Sequence, residues 1–179
     1  MTPERLPPEF HRPVAVDRVG PAGLDIELRA DAAECLALAT RMAIPAVVDV
    51  VCRFRLAAAP GGVVVAEGHL QALVVRICVM TLEAFETVTE ERFRLRFVPA
   101  GRKPAGLEAD DDDPDSDDEI AYQGGTIDLG EAAAEQLALA LDPYPRQPDA
   151  VPPDTVLQDG DEPAPESPFA ALARLQPRR

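Results

Sequence analysis

Apolar and polar residues alternate over three long stretches in the middle of the chain, and this period of two predicts three long β-strands. In the first, 46–58, Val48, Val50, Cys52, Phe54 and Leu56 share one face and Asp49, Val51, Arg53 and Arg55 the other. The second, 63–80, follows the turn signal Pro60-Gly61-Gly62 and sets Val64, Ala66, Leu70, Ala72 and Val74 against Glu67, His69 and Gln71. Beyond Val75 the apolar parity changes, with Ile77 and Val79 apolar and Arg76 charged, which suggests a β-bulge near Val74 or Val75. The third strand, 87–98, ends with Phe93, Leu95 and Phe97 alternating with Arg92, Arg94 and Arg96. Two short strands, 14–16 and 24–28, are expected upstream, around a turn carrying Gly20, Pro21 and Gly23.

Helical spacing occurs twice. Over 30–42 the stripe Cys35, Leu38, Ala39 and Met42 follows Asp31 and Glu34, whose spacing predicts a capping box, and Pro45 ends the element. Near the other end, Asp128 and Glu131 repeat the box ahead of Leu129, Ala133, Leu137, Ala140 and Leu141. Antiparallel strands with one apolar face need a cover, and the two helices supply it. The expected fold is α+β: a single domain over 1–145, its long antiparallel strands forming a sheet or partial barrel under two main helices. Residues 1–12 read as extended, with at most a docked end.

Composition adds three constraints. The 179 residues carry a formal net charge of −15, but residues 1–107 hold 13 acids and 13 bases, while 108–119 hold nine acids and no base. The segment of about 100–119 therefore reads as a disordered acidic loop, and 146–166 as a Pro-rich acidic linker. There is no Trp and only 4% aromatic residues, so the core must be aliphatic. Three cysteines without C-x-x-C spacing support neither a disulfide framework nor a Cys-rich zinc site. No apolar run approaches the ~18–20 residues of a membrane helix and no secretory h-region is evident, so a cytoplasmic location is expected.

Reaction chemistry finds little support. His11 and His69 have no nucleophile or carboxylate at motif spacing and read as solvated histidines. Gly61-Gly62 and Gly124-Gly125 lack the context of a phosphate loop. Glu131 and Glu135 read as a solvated helix face. The Asp run 110–118 lacks the turn Gly and closing Glu of a calcium loop, and suits repulsion of nucleic acid or attraction of a basic partner. No catalytic residue, metal, cofactor or small-molecule substrate is expected. The arginines are more informative. If their strands share a sheet, Arg53, Arg55, Arg92, Arg94 and Arg96 fall on one surface that could neutralise phosphates or pair with carboxylates. The alternative is an ordinary solvated face crossed by pairs with Glu67, Glu86 or Glu90. Finally, 167–179 predicts a short amphipathic helix, opened by Ser167-Pro168, whose Phe169, Leu172 and Leu175 could dock on a partner or on its own domain.

Three segments taken in order carry a resemblance: Cys78-Val79-Met80-Thr81-Leu82-Glu83, then Thr126-Ile127-Asp128-Leu129-Gly130-Glu131 through Tyr144-Pro145, then Ser167-Pro168-Phe169-Ala170-Ala171-Leu172-Ala173-Arg174-Leu175. Together, with the acidic insertion between the first two, the chain from about 8 to 175 resembles the YceD family of large ribosomal RNA subunit accumulation proteins. The resemblance implies a cytoplasmic, non-enzymatic factor supporting rRNA accumulation and ribosome assembly. Its partner would be the large-subunit precursor, through rRNA or a basic ribosomal protein. Many relatives carry a second Cys where this chain has Thr81, and further Cys pairs downstream, which could bind zinc; this chain keeps only Cys78, so no metal is carried over. The alternative function is an acidic chaperone or adaptor for a basic ribosomal protein, without direct RNA contact.

Overall fold

The computed structural model describes residues 8–101 and 118–151. In chain order its elements are β1 (Pro13–Ala15), β2 (Leu24–Arg29), α1 (Ala32–Arg41), β3 (Ala46–Ala59), β4 (Val63–Ile77), β5 (Ala84–Pro99), β6 (Asp118–Tyr122), β7 (Thr126–Asp128) and α2 (Leu129–Ala140). Five of the strands form one open sheet in the order β2-β3-β4-β5-β6, so the partial-barrel option is not taken. All neighbours are antiparallel except β5 and β6, which run parallel. The two short upstream strands do not pair with each other. β1 pairs with β7 in a separate two-stranded ribbon, and β2 borders β3.

Alternation places Cys52, Phe54, Leu56, Val64, Ala66, Leu70, Ala72, Val74, Leu95 and Phe97 on the inner face, all buried. α1 packs on β3, while α2 packs on β4 and β5. At the centre, Phe54, Gly68 and Phe93 lie in register on three neighbouring strands. The two rings meet edge to face at 5.7 Å across the glycine. A Cβ on Gly68 would stand 2.2 Å from the Phe93 ring, so the middle strand is bare there to admit the aromatic pair.

The structure differs from the sequence pattern at four places. The register shift lies in β3, between Val47 and Asp49, not in β4. Val47 therefore turns inward and Val48 is left half exposed, while Asp49 keeps the outward place its parity predicts and meets Arg29 at 2.9 Å. In β4 the alternation runs unbroken to Arg76, which faces inward. Its guanidinium donates to the Asp142 carbonyl at 2.6 Å, a favourable place for a cation because it lies just past the C-terminus of α2. β6 includes Asp118 and Glu119, two acids expected in the loop; pairing with β5 orders them. Finally, the capping box of α1 is complete, whereas α2 has only half of one. Asp128 accepts from the Gly130 and Glu131 amides, but the Glu131 carboxylate pairs with Arg41 at 2.8 Å instead of returning to the backbone.

The segment before β1 is docked. Phe10 is fully buried, and the Arg12 guanidinium lies 4.7 Å above its ring. Arg12 also holds Glu34 of α1 with two bonds of 2.6 and 2.8 Å, while its own amide donates to Asp128 at 2.9 Å. The approach to α2 is close enough that a Cβ on Gly130 would lie 2.3 Å from the Phe10 carbonyl oxygen. Helix propensity alone favours Gly130→Ala by up to ~1 kcal/mol. The clash reverses that sign, and urea denaturation should show a net loss of about 1–3 kcal/mol. Gly20→Ala, with nothing within 4 Å of the added carbon, should stay within about 0.5 kcal/mol of the parent.

Candidate functional site

The outer face of the sheet is built by the polar parity of the same strands. Pairing register aligns its residues in rows: Glu27, Arg53, His69 and Arg92 form one, and Asp25, Arg55, Glu67 and Arg94 the next. A third row sets Arg96 beside Glu119 of β6. All five arginines singled out from the sequence thus share one face, with β4 between their two strands. The acids beside them belong to the same alternation, and strand order decides which arginine each one meets.

Several of these charges are paired. Arg53 Nε donates to Glu27 at 2.7 Å, Arg96 meets Glu119 at 3.2 Å, and His69 Nε2 lies 2.6 Å from Glu90. His69 is the main reason the Glu90 carboxyl titrates below its usual range. Arg55 and Arg92 have no ion pair within 4 Å among the described residues. A cleft of about 600 Å³ is lined by Asp25, Glu27, Arg53, Arg55, Glu67, His69 and Arg92 together with Ile26, Phe54, Gly68 and Phe93, so its walls are apolar as well as charged. Exposed pairs of this kind contribute only ~0–1 kcal/mol each. A phosphate or a foreign carboxylate can therefore replace the resident acid at little cost. The face is a checkerboard whose arginines can change partner, in place of a uniformly basic patch.

A second feature lies at the far end of β4. Cys78 is fully buried in the turn to β5, where its N–H donates to the Glu83 carbonyl and its carbonyl accepts from the Leu82 amide. The turn sets Leu82 at φ 59°, in the left-handed region. Val79 N–H reaches the Pro145 carbonyl, and Gln147 N–H donates to the Cys78 sulfur at 3.4 Å. The Thr81 hydroxyl and the amides of Thr81 and Met80 are directed at the same atom. These donors, Gln147 foremost, bring the thiol pKa down to about 7. No local pattern around Cys78 signals this, because the chief donor is a backbone amide 69 residues away.

One thiolate, one hydroxyl and backbone amides do not make a zinc site. No group of three or more His, Cys, Asp and Glu suited to a metal occurs among the described residues. Cys35 and Cys52 are also free and buried. Burial pushes both thiols up, Cys52 to about 12. Phe169, Leu172 and Leu175, the acidic run 110–117 and the linker from 152 lie outside the described residues. No described helix is long and apolar enough to cross a membrane.

Fold and face together define an α+β domain that presents a charged sheet on one side and closes its apolar side with two helices. Residues 66–176 match the family model of the large ribosomal RNA subunit accumulation protein YceD, and the chain belongs to that family. The family is described by ribosomal RNA accumulation, not by a reaction, which ties this chain to the large ribosomal subunit. No curated protein and no solved structure matches the chain.

The Cys78 cradle makes a pH prediction. Its folded pKa lies below the ordinary 9.0, so its contribution to stability is full above pH 9 and is lost as pH falls through about 7. The melting temperature of the parent relative to Cys78→Ser should therefore rise between about pH 7 and 9. Thiolate absorbance should titrate one sulfur near 7 and leave Cys52 protonated. A flat difference across that window would show that the donors do not stabilise the thiolate.

Proposed function

We propose that this chain is a non-enzymatic, cytoplasmic factor that supports accumulation of large-subunit ribosomal RNA, and that it contacts the precursor subunit through the outer face of the sheet. The observation that carries this reading is the alignment of Arg53, Arg55, Arg92, Arg94 and Arg96 on that face. Neutralising phosphates requires guanidinium groups that can leave their present partners, and exposed strand arginines in weak pairs meet that requirement. The net charge of −15 does not oppose it, since nine of the acids fall within residues 108–119. Phe169, Leu172 and Leu175 would supply an additional anchor on the same assembly.

A second reading has its own support. The acidic stretch and the carboxylates interleaved with the arginines also suit a chaperone that holds a basic ribosomal protein away from premature RNA contact. Salt-dependent affinities separate the two. Arg92→Glu, Arg94→Glu and Arg96→Glu together should weaken binding to large-subunit RNA at least about tenfold. They should also reduce the slope of log affinity against log salt by roughly 2, the value for three lost single-strand phosphate contacts. Unchanged RNA binding would sink the first reading. Deletion of 110–118 should abolish binding to ribosomal proteins under the second, and full retention of affinity would count against it.

A further inference from the structure

β5 is the longest strand, and its two neighbours cover it unequally. β4 pairs with it from Ala84 to Phe97, without a register shift, but β6 reaches only from Leu95 to Pro99. From Ala84 to Arg94 the second edge of β5 has no strand beside it among the described residues. Every other residue there turns its N–H and C=O away from the sheet. Exposed edges are usually guarded by proline, lysine or a bulge. This segment, Ala84-Phe85-Glu86-Thr87-Val88-Thr89-Glu90-Glu91-Arg92-Phe93-Arg94, contains none of the three; its charges, including the inward Glu91 opposite Leu70, select against an acidic partner and leave the edge open to a basic one. Its first half is rich in β-branched and aromatic residues, the composition that favours pairing.

The edge also has a chemistry. On the outer side Glu86 and Glu90 flank Val88, which is 68% exposed. On the inner side Phe85, Thr87 and Thr89 border a groove of about 290 Å³ that continues to Ala140 and Asp142 at the end of α2. Arg76, Arg146 and Glu90 also line that groove, and Glu91 turns inward opposite Leu70, so the inner side is of mixed charge while the charges on the outer side of 86–90 are all acidic. A strand laid along the edge would set one set of alternate side chains opposite Glu86, Val88 and Glu90. The other set would face the threonines and the groove.

We propose that the open edge of β5 receives an extended basic polypeptide segment by strand addition. The segment would present Lys or Arg opposite Glu86 and Glu90, an apolar residue opposite Val88, and small or β-branched residues towards Thr87 and Thr89. Main-chain hydrogen bonds supply the affinity, and the acid–apolar–acid strip supplies the selection. This surface is distinct from the arginine rows. It would let the chain hold a basic protein tail while the outer face engages other groups, and it does not depend on the RNA reading.

The test uses the full chain and a ten-residue probe repeating Lys-Thr-Val-Thr-Lys, followed by hydrogen exchange. Binding should slow the amides of 84–94. A probe with Glu in place of Lys should bind at least about tenfold more weakly, and so should one N-methylated at alternate residues to block pairing. Glu86→Lys with Glu90→Lys should weaken the Lys probe by a similar factor, whereas Arg92→Glu/Arg94→Glu/Arg96→Glu should not. Equal binding of the N-methylated probe, or binding that leaves 84–94 unprotected, would overturn the proposal. Protection of 84–94 that grows with protein concentration in the absence of probe would assign the edge to a second copy and overturn it as well. The N-methylated arm needs no variant, so a misfolded mutant cannot obscure the outcome.

Discussion

Two carboxylates, Glu34 and Asp128, join the segment before β1 to both helices, and the closure of the apolar face depends on that joint. Glu34 accepts the Asp31 amide at the start of α1 and the paired nitrogens of Arg12, which hold its carboxyl below the usual range. Asp128 caps α2 while also accepting the Arg12 amide, and His11 pairs with it. Each carboxylate thus satisfies helix-end amides and captures the incoming chain in one step. Phe10 is pressed into the core as a result, and the β1–β7 ribbon forms beside it. Arg41 repeats the device between helices, binding Glu131 of α2 and Glu9 of the arm. A core with few aromatic rings needs such fixtures, because its aliphatic residues fill space without dictating orientation.

Strands and helices were legible because their signals are local. The alternation in β4 and β5 and the Asp31–Glu34 spacing depend on residues a few positions apart. What escaped detection was set by distant partners. Arg76 looks like an outward charge in the strand pattern, but the end of α2 supplies a carbonyl that makes an inward guanidinium favourable. Val48 looks like a core residue until the register shift moves Val47 into its place. β6 could not be read from Asp118 and Glu119, since only a neighbouring strand makes an extended acidic segment worthwhile. For the candidate site, the parity of Arg53, Arg55, Arg92, Arg94 and Arg96 was visible, but their union required the strand order. The interleaving acids were equally visible one by one, and what they do to the arginines followed only from register.

That interleaving changes what net charge means for this molecule. A face of mixed sign produces little long-range field, so it neither steers a partner from afar nor repels one. Its selectivity is expressed only at contact, where the spacing of charges must match. The acidic stretch at 108–119 is of one sign and acts over a Debye length of roughly 8 Å in physiological salt. The two parts of the chain therefore work at different ranges.

The outward side of the sheet has a consequence for how such a protein can diverge. Its charged residues do not support the core, so a sign change at Glu67 leaves the fold nearly untouched, within about 0.5 kcal/mol. The same change would convert a balanced row into a basic one. On the function proposed above, a preference for phosphate and a preference for a basic protein are then only a few substitutions apart, on a scaffold that tolerates each of them. A lineage could drift between the two without passing through an unstable intermediate.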